Sequence, residues 1–416
     1  MNKTMKVAFV VPYVPNLIRV RSYNLITQLS QQGIEITLFT LGSNEIDLRD
    51  ANLMRTACKD VQYQNQPLWN SLLNCLGALP SSLPLQAVYS WNPALSGRLE
   101  NILSNQNTSP HFDLVHVEHL RGSRYGARIK SRFSDVPLVW DSVDCISYLF
   151  KQASNQSRGA FGKIVSILEL KRTQKAEGQL VCDFDHVLVT SSVDKNALLE
   201  LAPVGDQPSP VSILSNGVDL KYYQPPHDIR KDSNTIVFSG KMSYHANIAM
   251  AAYLVREIMP RIWQKKRDIC LKIVGKDPPR EIKNLAANPL ITVTGTVEDI
   301  RPYLWGATVA AVPLVYGAGI QNKILEAMAS GTSVVTTSRT LSALHVAPGK
   351  DVLVADSPDE FAVKILQLIE DPKLRSEIGS RGLAYVRKYH DWKNIAGQLT
   401  NIYRQTIQEK RAQKAL

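Results

Sequence analysis

Residues 308–337, TVAAVPLVYGAGIQNKILEAMASGTSVVTT, decide how this chain folds. The opening run TVAAVPLV is apolar and β-branched, as a strand buried in a parallel sheet requires. Gly317 and Gly319 follow, and without a Cβ they allow a tight turn and a close approach of ligand to backbone. The spacing predicts a helix over 321–330, a C-terminal stop at Gly331, and the next strand at SVVTT. Strand, loop, helix and strand in this order bring unpaired N–H groups, at the positive end of a helix dipole, to the carboxyl edge of an α/β sheet. Such an edge binds anions.

Glu326 lies about one turn into that helix, with Lys323 three residues before it. An ionised carboxylate only accepts hydrogen bonds, and its two oxygens suit two neighbouring hydroxyls. A sugar diol beside a phosphate satisfies both features, which points to a nucleotide. The competing reading is a surface glutamate paired with Lys323 along the helix.

Working outward, the same alternation recurs. KVAFVVP (6–12) reads as a first strand, 22–32 as an amphipathic helix ended by Gly33, and IEITLFT as a second strand. The intervening loop holds no G-x-G-x-x-G, so a nicotinamide-type site is not signalled. Arg19 and Arg21 stand there instead, facing either a substrate phosphate or solvent. LWNSLLNCLGALP (68–80) has helical apolar spacing and reads as a helix packed on the core or as an apolar lip for a lipid-linked acceptor. FDLVHVEHL (112–120) is a strand with Glu118 and His119 at its carboxyl end, the edge where open α/β sheets bind ligands. Arg121, Arg124, Arg128 and Arg132 then follow at i, i+3, i+7 and i+11 on one helical stripe. PLVWDSVD (137–144) is the next strand; its carboxylates Asp141 and Asp144 suit a general base, a cleft lining, or a helix cap at Asp144. In the second half, TIVFSG is a strand whose Gly240 lets the backbone meet a phosphate, with Lys241 supplying charge. No Gly-Lys-Ser/Thr follows it, which argues against an ATPase.

NKILEAMASGTSVVTT resembles the donor-site signature of retaining glycosyltransferases of family 4, which have the GT-B fold. SILSNGVDLKYYQP (212–225), TIVFSGKMSYHANIAM (235–250), LKIVGKDPP and ITVTGTVEDIRPYL match in the same order. The resemblance implies two Rossmann-like, doubly wound α/β domains facing across a cleft. It implies an acceptor domain at 1–219, a donor domain at 235–390 and a terminal helix at 391–416 that packs back on the first domain, and the two prolines followed by charged and polar residues at 220–234 read as the linker between them. It implies that Glu326 binds the ribose hydroxyls. It also implies that Gly240, Lys241, Thr296, Val297, the loop Gly317, Ala318, Gly319, Ile320 and Gln321, and Lys323 hold the rest of a nucleotide-sugar donor. Lys241, Glu326 and His119 are the expected catalytic residues, His119 lying by the reacting sugar; Arg19, Arg21 and Asp144 are expected toward the acceptor or cleft. Two positions depart from the pattern. Ala318 stands where an acidic residue is common, eight before Glu326, and Ala246 stands where a lysine is common, five after Lys241.

Composition narrows the alternatives. The 416 residues suggest two or three domains, and 44% hydrophobic with 20% charged residues suits a soluble chain with full cores. Five dispersed cysteines without C-x-x-C spacing argue against a disulfide framework or zinc site and for a reducing cytosol. No long uncharged apolar run signals a membrane span. The net charge of +11 fits anionic substrates, an anionic membrane surface or nucleic acid. No aromatic-basic interleaving supports the last of these.

The expected activity is therefore retaining transfer of a sugar from a nucleotide-sugar donor to a glycan or lipid-linked acceptor, with no cofactor and no metal. It is expected in the cytoplasm, peripherally on the inner membrane face through the arginine stripe. A sugar-nucleotide epimerase or a non-catalytic binding protein would use the same donor residues.

Overall fold

The computed structural model describes residues 4–104, 112–154, 160–226, 228–229, 232–315 and 320–415, with side chains at all of these except 152–154, 160–166 and 415. The chain divides into two compact units, residues 1–215 with 392–416, and residues 216–391.

The first unit is built on seven parallel strands: β1 Lys6–Val11, β2 Glu35–Gly42, β3 Asp60–Asn65, β4 Leu114–Glu118, β5 Leu138–Val143, β6 His186–Val189 and β7 Val211–Ile213. Their order is β3-β2-β1-β4-β5-β6-β7. The order reverses between β1 and β4, and ligands of doubly wound sheets bind beyond the strand ends at such a point. Alternation along β1 explains the layers, since successive side chains point to opposite faces. Val7, Phe9 and Val11 join a core with Leu25, Ile26 and Leu29 of the helix Val20–Gln31 and with Trp392, Leu399 and Tyr403 of the helix Trp392–Ala415. Ala8 and Val10 join the opposite core with Leu120, Tyr125 and Ile129 of the helix His119–Arg132.

The second unit has six parallel strands: β8 Thr235–Ser239, β9 Cys270–Val274, β10 Ile291–Val293, β11 Val309–Val312, β12 Ser333–Thr336 and β13 Leu353–Val354. They run β10-β9-β8-β11-β12-β13, again reversing beside the first strand of the set. The apolar run that opens residues 308–337 is β11, which ends before Pro313, and the helix is Asn322–Ala329. Gly331 ends that helix in the left-handed region at φ 64°, with its N–H donated to Met328 O.

Residues 220–234, expected as a linker, belong to this second unit. Val218 N donates to His390 O at 2.7 Å, Trp305 Nε1 to Tyr223 O at 2.8 Å, and Lys272 pairs with Asp232 at 3.1 Å. Polar and proline-rich composition suggested a free segment, but these partners tie it down. The division falls between Ser215 and Asn216 instead.

Candidate functional site

In the second unit the site is built where β8 and β9 end. Both strands run into glycine followed by lysine, Gly240-Lys241 and Gly275-Lys276. Gly240 has φ 149° and Gly275 has φ 151°. A Cβ on Gly275 would lie 1.8 Å from Gly240 O, so only glycine lets the two loops touch. A Cβ on Gly240 would fall 2.8 Å from Asn247 Nδ2 and 3.3 Å from Lys323 Cε.

Asn247 is buried and bridges the cluster: Nδ2 donates to Lys241 O at 2.9 Å, and Oδ1 accepts from Lys323 Nζ at 2.9 Å. Lys323 Nζ also donates to Gln321 Oε1 at 3.2 Å and stands 5.9 Å from the Phe238 ring centroid. Burial pulls the Lys323 ammonium down to about 8, against the attraction of Glu326. Burial likewise raises the Glu326 carboxyl, opposed by Lys323 and by a hydrogen bond from the Tyr223 hydroxyl. Tyr223 is itself raised, by burial first and then by Glu326. Asn216 Nδ2 donates to Asn322 Oδ1 at 3.3 Å beside the same helix start.

Lys323, Glu326 and Gln321 are thus brought together with Gly240. Lys241 and Thr296 are exposed near the strand ends, while Val297 and Ile320 pack half-buried on the core. Gly317, Ala318 and Gly319 lie outside the described residues. Sequence reasoning missed Tyr223, Asn247 and Gly275. Only Gly275 left a readable signal, the second strand-Gly-Lys.

The first unit carries a polar cluster at the carboxyl edge of β4 and β5. Arg21 is buried and closes on Asp141, Nε to Oδ2 at 2.9 Å and Nη2 to Oδ1 at 3.1 Å. It is therefore spent internally and not held out to a substrate phosphate, a correction to its expected role. Asp141 Oδ2 is also 4.0 Å from His116 Nε2, and His116 Nδ1 meets the Tyr403 hydroxyl at 2.8 Å. Glu118 is fully buried; its Oε1 accepts from Ser22 Oγ at 3.2 Å and from the Tyr13 hydroxyl, and its Oε2 has no partner among the described residues. Burial, then repulsion from Asp141, raises this carboxyl to about 7 against those donors and Arg21.

His119 follows directly, half-buried, with φ 67°. A non-glycine residue there is strained, and such strain collects at functional positions. Burial and then Arg121 and Arg21 lower its imidazole to about 4, so the ring is neutral. Its Nδ1 has no partner among the described residues.

Asp144 does not cap the helix Ile146–Ser154. Glu177 takes Ile146 N at 2.7 Å and Ser147 N at 3.0 Å, and Asp194 takes Cys145 N at 2.9 Å. Asp144 instead accepts from Thr190 Oγ1 at 3.2 Å, and burial followed by Asp194 raises it to about 7.

The arginine stripe is not a free basic face. Arg128 and Arg132 both pair with the buried carboxylate of Glu100, Arg124 stacks 4.3 Å from the Trp91 ring centroid, and Arg121 lies 5.1 Å from that of Tyr89. Glu100 desolvated on a neighbouring helix needs compensating charge, and the stripe supplies it. Arg19 is exposed, 4.9 Å from the Tyr13 ring centroid. Among the described residues no group of three or more His, Cys, Asp or Glu is placed to hold a metal ion.

Residues 18–222 match Glycosyltransferase Family 4, and residues 233–371 match Glycosyl transferases group 1. The phosphatidyl-myo-inositol mannosyltransferase of Mycolicibacterium smegmatis is 25% identical over 199 residues, 46% of this chain and 50% of that enzyme, so the match spans half its length. A 44.6 kDa protein of the cps region of Klebsiella pneumoniae is 21% identical over 389 residues, 88% of this chain and 90% of that one. Among solved structures, sucrose-phosphate synthase from Thermosynechococcus elongatus superposes with TM-score 0.69 at 17% identity, covering 96% of this chain and 98% of that one. Anabaena Alr3699/HepE in complex with UDP superposes with TM-score 0.66 at 16% identity, covering 96% and 99%. The two parallel sheets, the two family matches over both units and these neighbours agree: the chain belongs to glycosyltransferase family 4 and has the GT-B fold.

Proposed function

We propose that this glycosyltransferase takes its sugar from a nucleotide-sugar donor and passes it to an acceptor hydroxyl with retention at the anomeric carbon, in polysaccharide or glycolipid synthesis. The observation that carries the reading is the Glu326–Lys323–Asn247–Gly240 cluster, a half-buried carboxylate and ammonium set that closes in beside the end of β8 because Gly240 carries no Cβ. Glu326 accepts from the ribose hydroxyls while Lys323, Lys241 and the amides around Gln321 receive the diphosphate. HepE, which shares the fold, has been solved with UDP and with UDP-glucose.

In the reaction the bond from anomeric carbon to diphosphate oxygen breaks and the acceptor oxygen bonds to the same face. The acceptor proton passes to the leaving phosphate oxygen. Negative charge grows on that phosphate, where fixed cations and amides lower the barrier. His119, neutral and with its Nδ1 unpartnered among the described residues, is the first-unit group we propose to accept a hydrogen bond from a sugar hydroxyl. No metal takes part in this scheme.

A thermal-shift panel of UDP, GDP, ADP and TDP tests the donor site, since ligand at 100 times its Kd adds about 2.7 kcal/mol. Transfer is then run in excess EDTA and the product's anomeric proton read by NMR. Retained configuration with activity preserved is the expected result. An inverted product or full loss with EDTA overturns the mechanism, and interconversion of free sugar nucleotide without transfer replaces it with epimerisation.

A further inference from the structure

The second unit starts at Asn216 and closes at Asp391, and its two ends are bonded to each other. Val218 N donates to His390 O at 2.7 Å, and Val218 forms a parallel bridge with Asp391. The His390 side chain adds a third tie. It is buried, with Nδ1 2.7 Å from Asn216 O and Nε2 3.1 Å from the Tyr385 hydroxyl. A carbonyl oxygen only accepts, so Nδ1 carries the hydrogen, Nε2 is the bare nitrogen, and the tyrosine hydroxyl donates to it. Burial lowers this imidazole, against the bond to Asn216 O, so the ring is neutral and each of its nitrogens is matched.

Asn216 carries the tie onward. Its side chain donates to Asn322, the first residue of the helix Asn322–Ala329 that bears Lys323 and Glu326. That helix has no side-chain cap. Gln321, at its cap position, makes no hydrogen bond to the first turn, and its Oε1 accepts from Lys323 Nζ instead. A capping side chain occupies N–H groups of the first turn, and an anion at a helix start needs those same groups. A helix that receives a diphosphate therefore cannot fix its own start by capping, and here its first residue is held from outside. Tyr223 holds the same helix one turn further in, at Glu326, and is anchored in turn by Trp305 Nε1 to Tyr223 O. The anchor at the Asn216 end is His390.

We propose that His390 is a positioning residue for the donor site: by holding the Asn216 carbonyl it sets the place of Asn322, and with it that of Lys323 and Glu326 against the nucleotide. The role rests on the donor reading of this helix given above, and His390 acts through Asn216 and not on the ligand.

Nucleotide affinity is measured by calorimetry with whichever of UDP, GDP, ADP and TDP binds the wild type best, and urea unfolding is run on the same samples. His390→Leu removes the donor to Asn216 O and is expected to weaken the nucleotide by about 3-fold to 10-fold, the worth of one hydrogen bond. His390→Asn returns an N–H close to the place of Nδ1 and is expected to bring affinity back to within about 2-fold of wild type. It still leaves the Tyr385 hydroxyl without its acceptor, so its urea midpoint stays below wild type while affinity recovers. A purely structural histidine would instead make affinity follow stability. Asn216→Ala is expected to lose as much affinity as His390→Leu, and the double variant no more than either, because both break one link. NMR of histidine-labelled protein, with the His390 signals identified by their absence in His390→Asn, is expected to show the Nδ1–H tautomer and to shift when nucleotide is added. That readout decides the matter even where His390→Leu does not fold. Unchanged affinity in His390→Leu, additive losses in the double variant, or an Nε2–H tautomer overturns the proposal. A wild type that binds none of these nucleotides overturns the donor reading and the positioning role with it. Affinity that falls in Glu326→Ala but not in His390→Leu sinks the positioning role alone.

Discussion

Lys323 Nζ lies 2.9 Å from Asn247 Oδ1, so its ammonium donates to a neutral amide, and Glu326 is the charge that attracts it. The depression of Lys323 to about 8 gives a pH signature. A bound diphosphate favours the charged form and raises that value. Below about pH 8 the ammonium is charged with or without ligand, and affinity is flat. Above it, binding must take up a proton, and affinity for UDP or its equivalent falls by up to about 10-fold per pH unit. Lys323→Arg is expected to flatten the profile, because a guanidinium stays charged. Calorimetric titration across that range checks it, and a pH-independent wild type would remove Lys323 from the phosphate site.

Glu326 and Tyr223 act together. Glu326→Ala is expected to weaken nucleotide binding by about 10-fold or more, since a hydrogen bond to a charged group is worth about 1.5–3 kcal/mol. Tyr223→Phe leaves Glu326 ionisable but unsteadied, and a loss of about 3-fold to 10-fold is expected. Equilibrium binding of the best nucleotide, with circular dichroism as the folding check, measures both. Unchanged affinity in Glu326→Ala would return that residue to the role of a helix-surface partner of Lys323.

The Arg21–Asp141 pair predicts a stability effect. Asp141→Ala leaves a buried guanidinium uncompensated, expected to cost about 3–5 kcal/mol in urea unfolding. Arg21→Met with Asp141→Leu removes both charges and is expected to cost clearly less than the single change. Equal losses would show that Arg21 is compensated elsewhere.

His119 predicts a split in kinetics. His119→Ala is expected to lower kcat by at least about 10-fold, while donor affinity, measured by thermal shift, stays put. Because the imidazole is neutral above about pH 4, no inflection near its ordinary value should be assignable to it. Persistence of an identical pH profile in His119→Gln checks that point. A variant with wild-type turnover would leave only the backbone strain at φ 67° to explain.

Much of the fold was legible because it rests on local rules. Alternating apolar strands and amphipathic helices repeat at short range, and the strand-loop-helix-strand unit around Glu326 follows from glycine placement and the period of the helix. Lys323 and Glu326 share a face through their i, i+3 spacing alone. The contacts that give the site its chemistry are long-range, and no period encodes them. Tyr223 reaches Glu326 from a segment whose composition reads as linker. Arg21 meets Asp141 across 120 positions, and Arg128 meets Glu100 across 28, which turned one expected substrate contact and one expected basic face into internal ion pairs. Helical periodicity at 68–78 says that one face is apolar; only the hydrogen bonds of Asn74 and Gln66 decide that this face points outward. The order of local preferences was thus set by the chain itself. Which charges are desolvated against which partners was set by tertiary packing, because that energy depends on distance in space and not along the sequence.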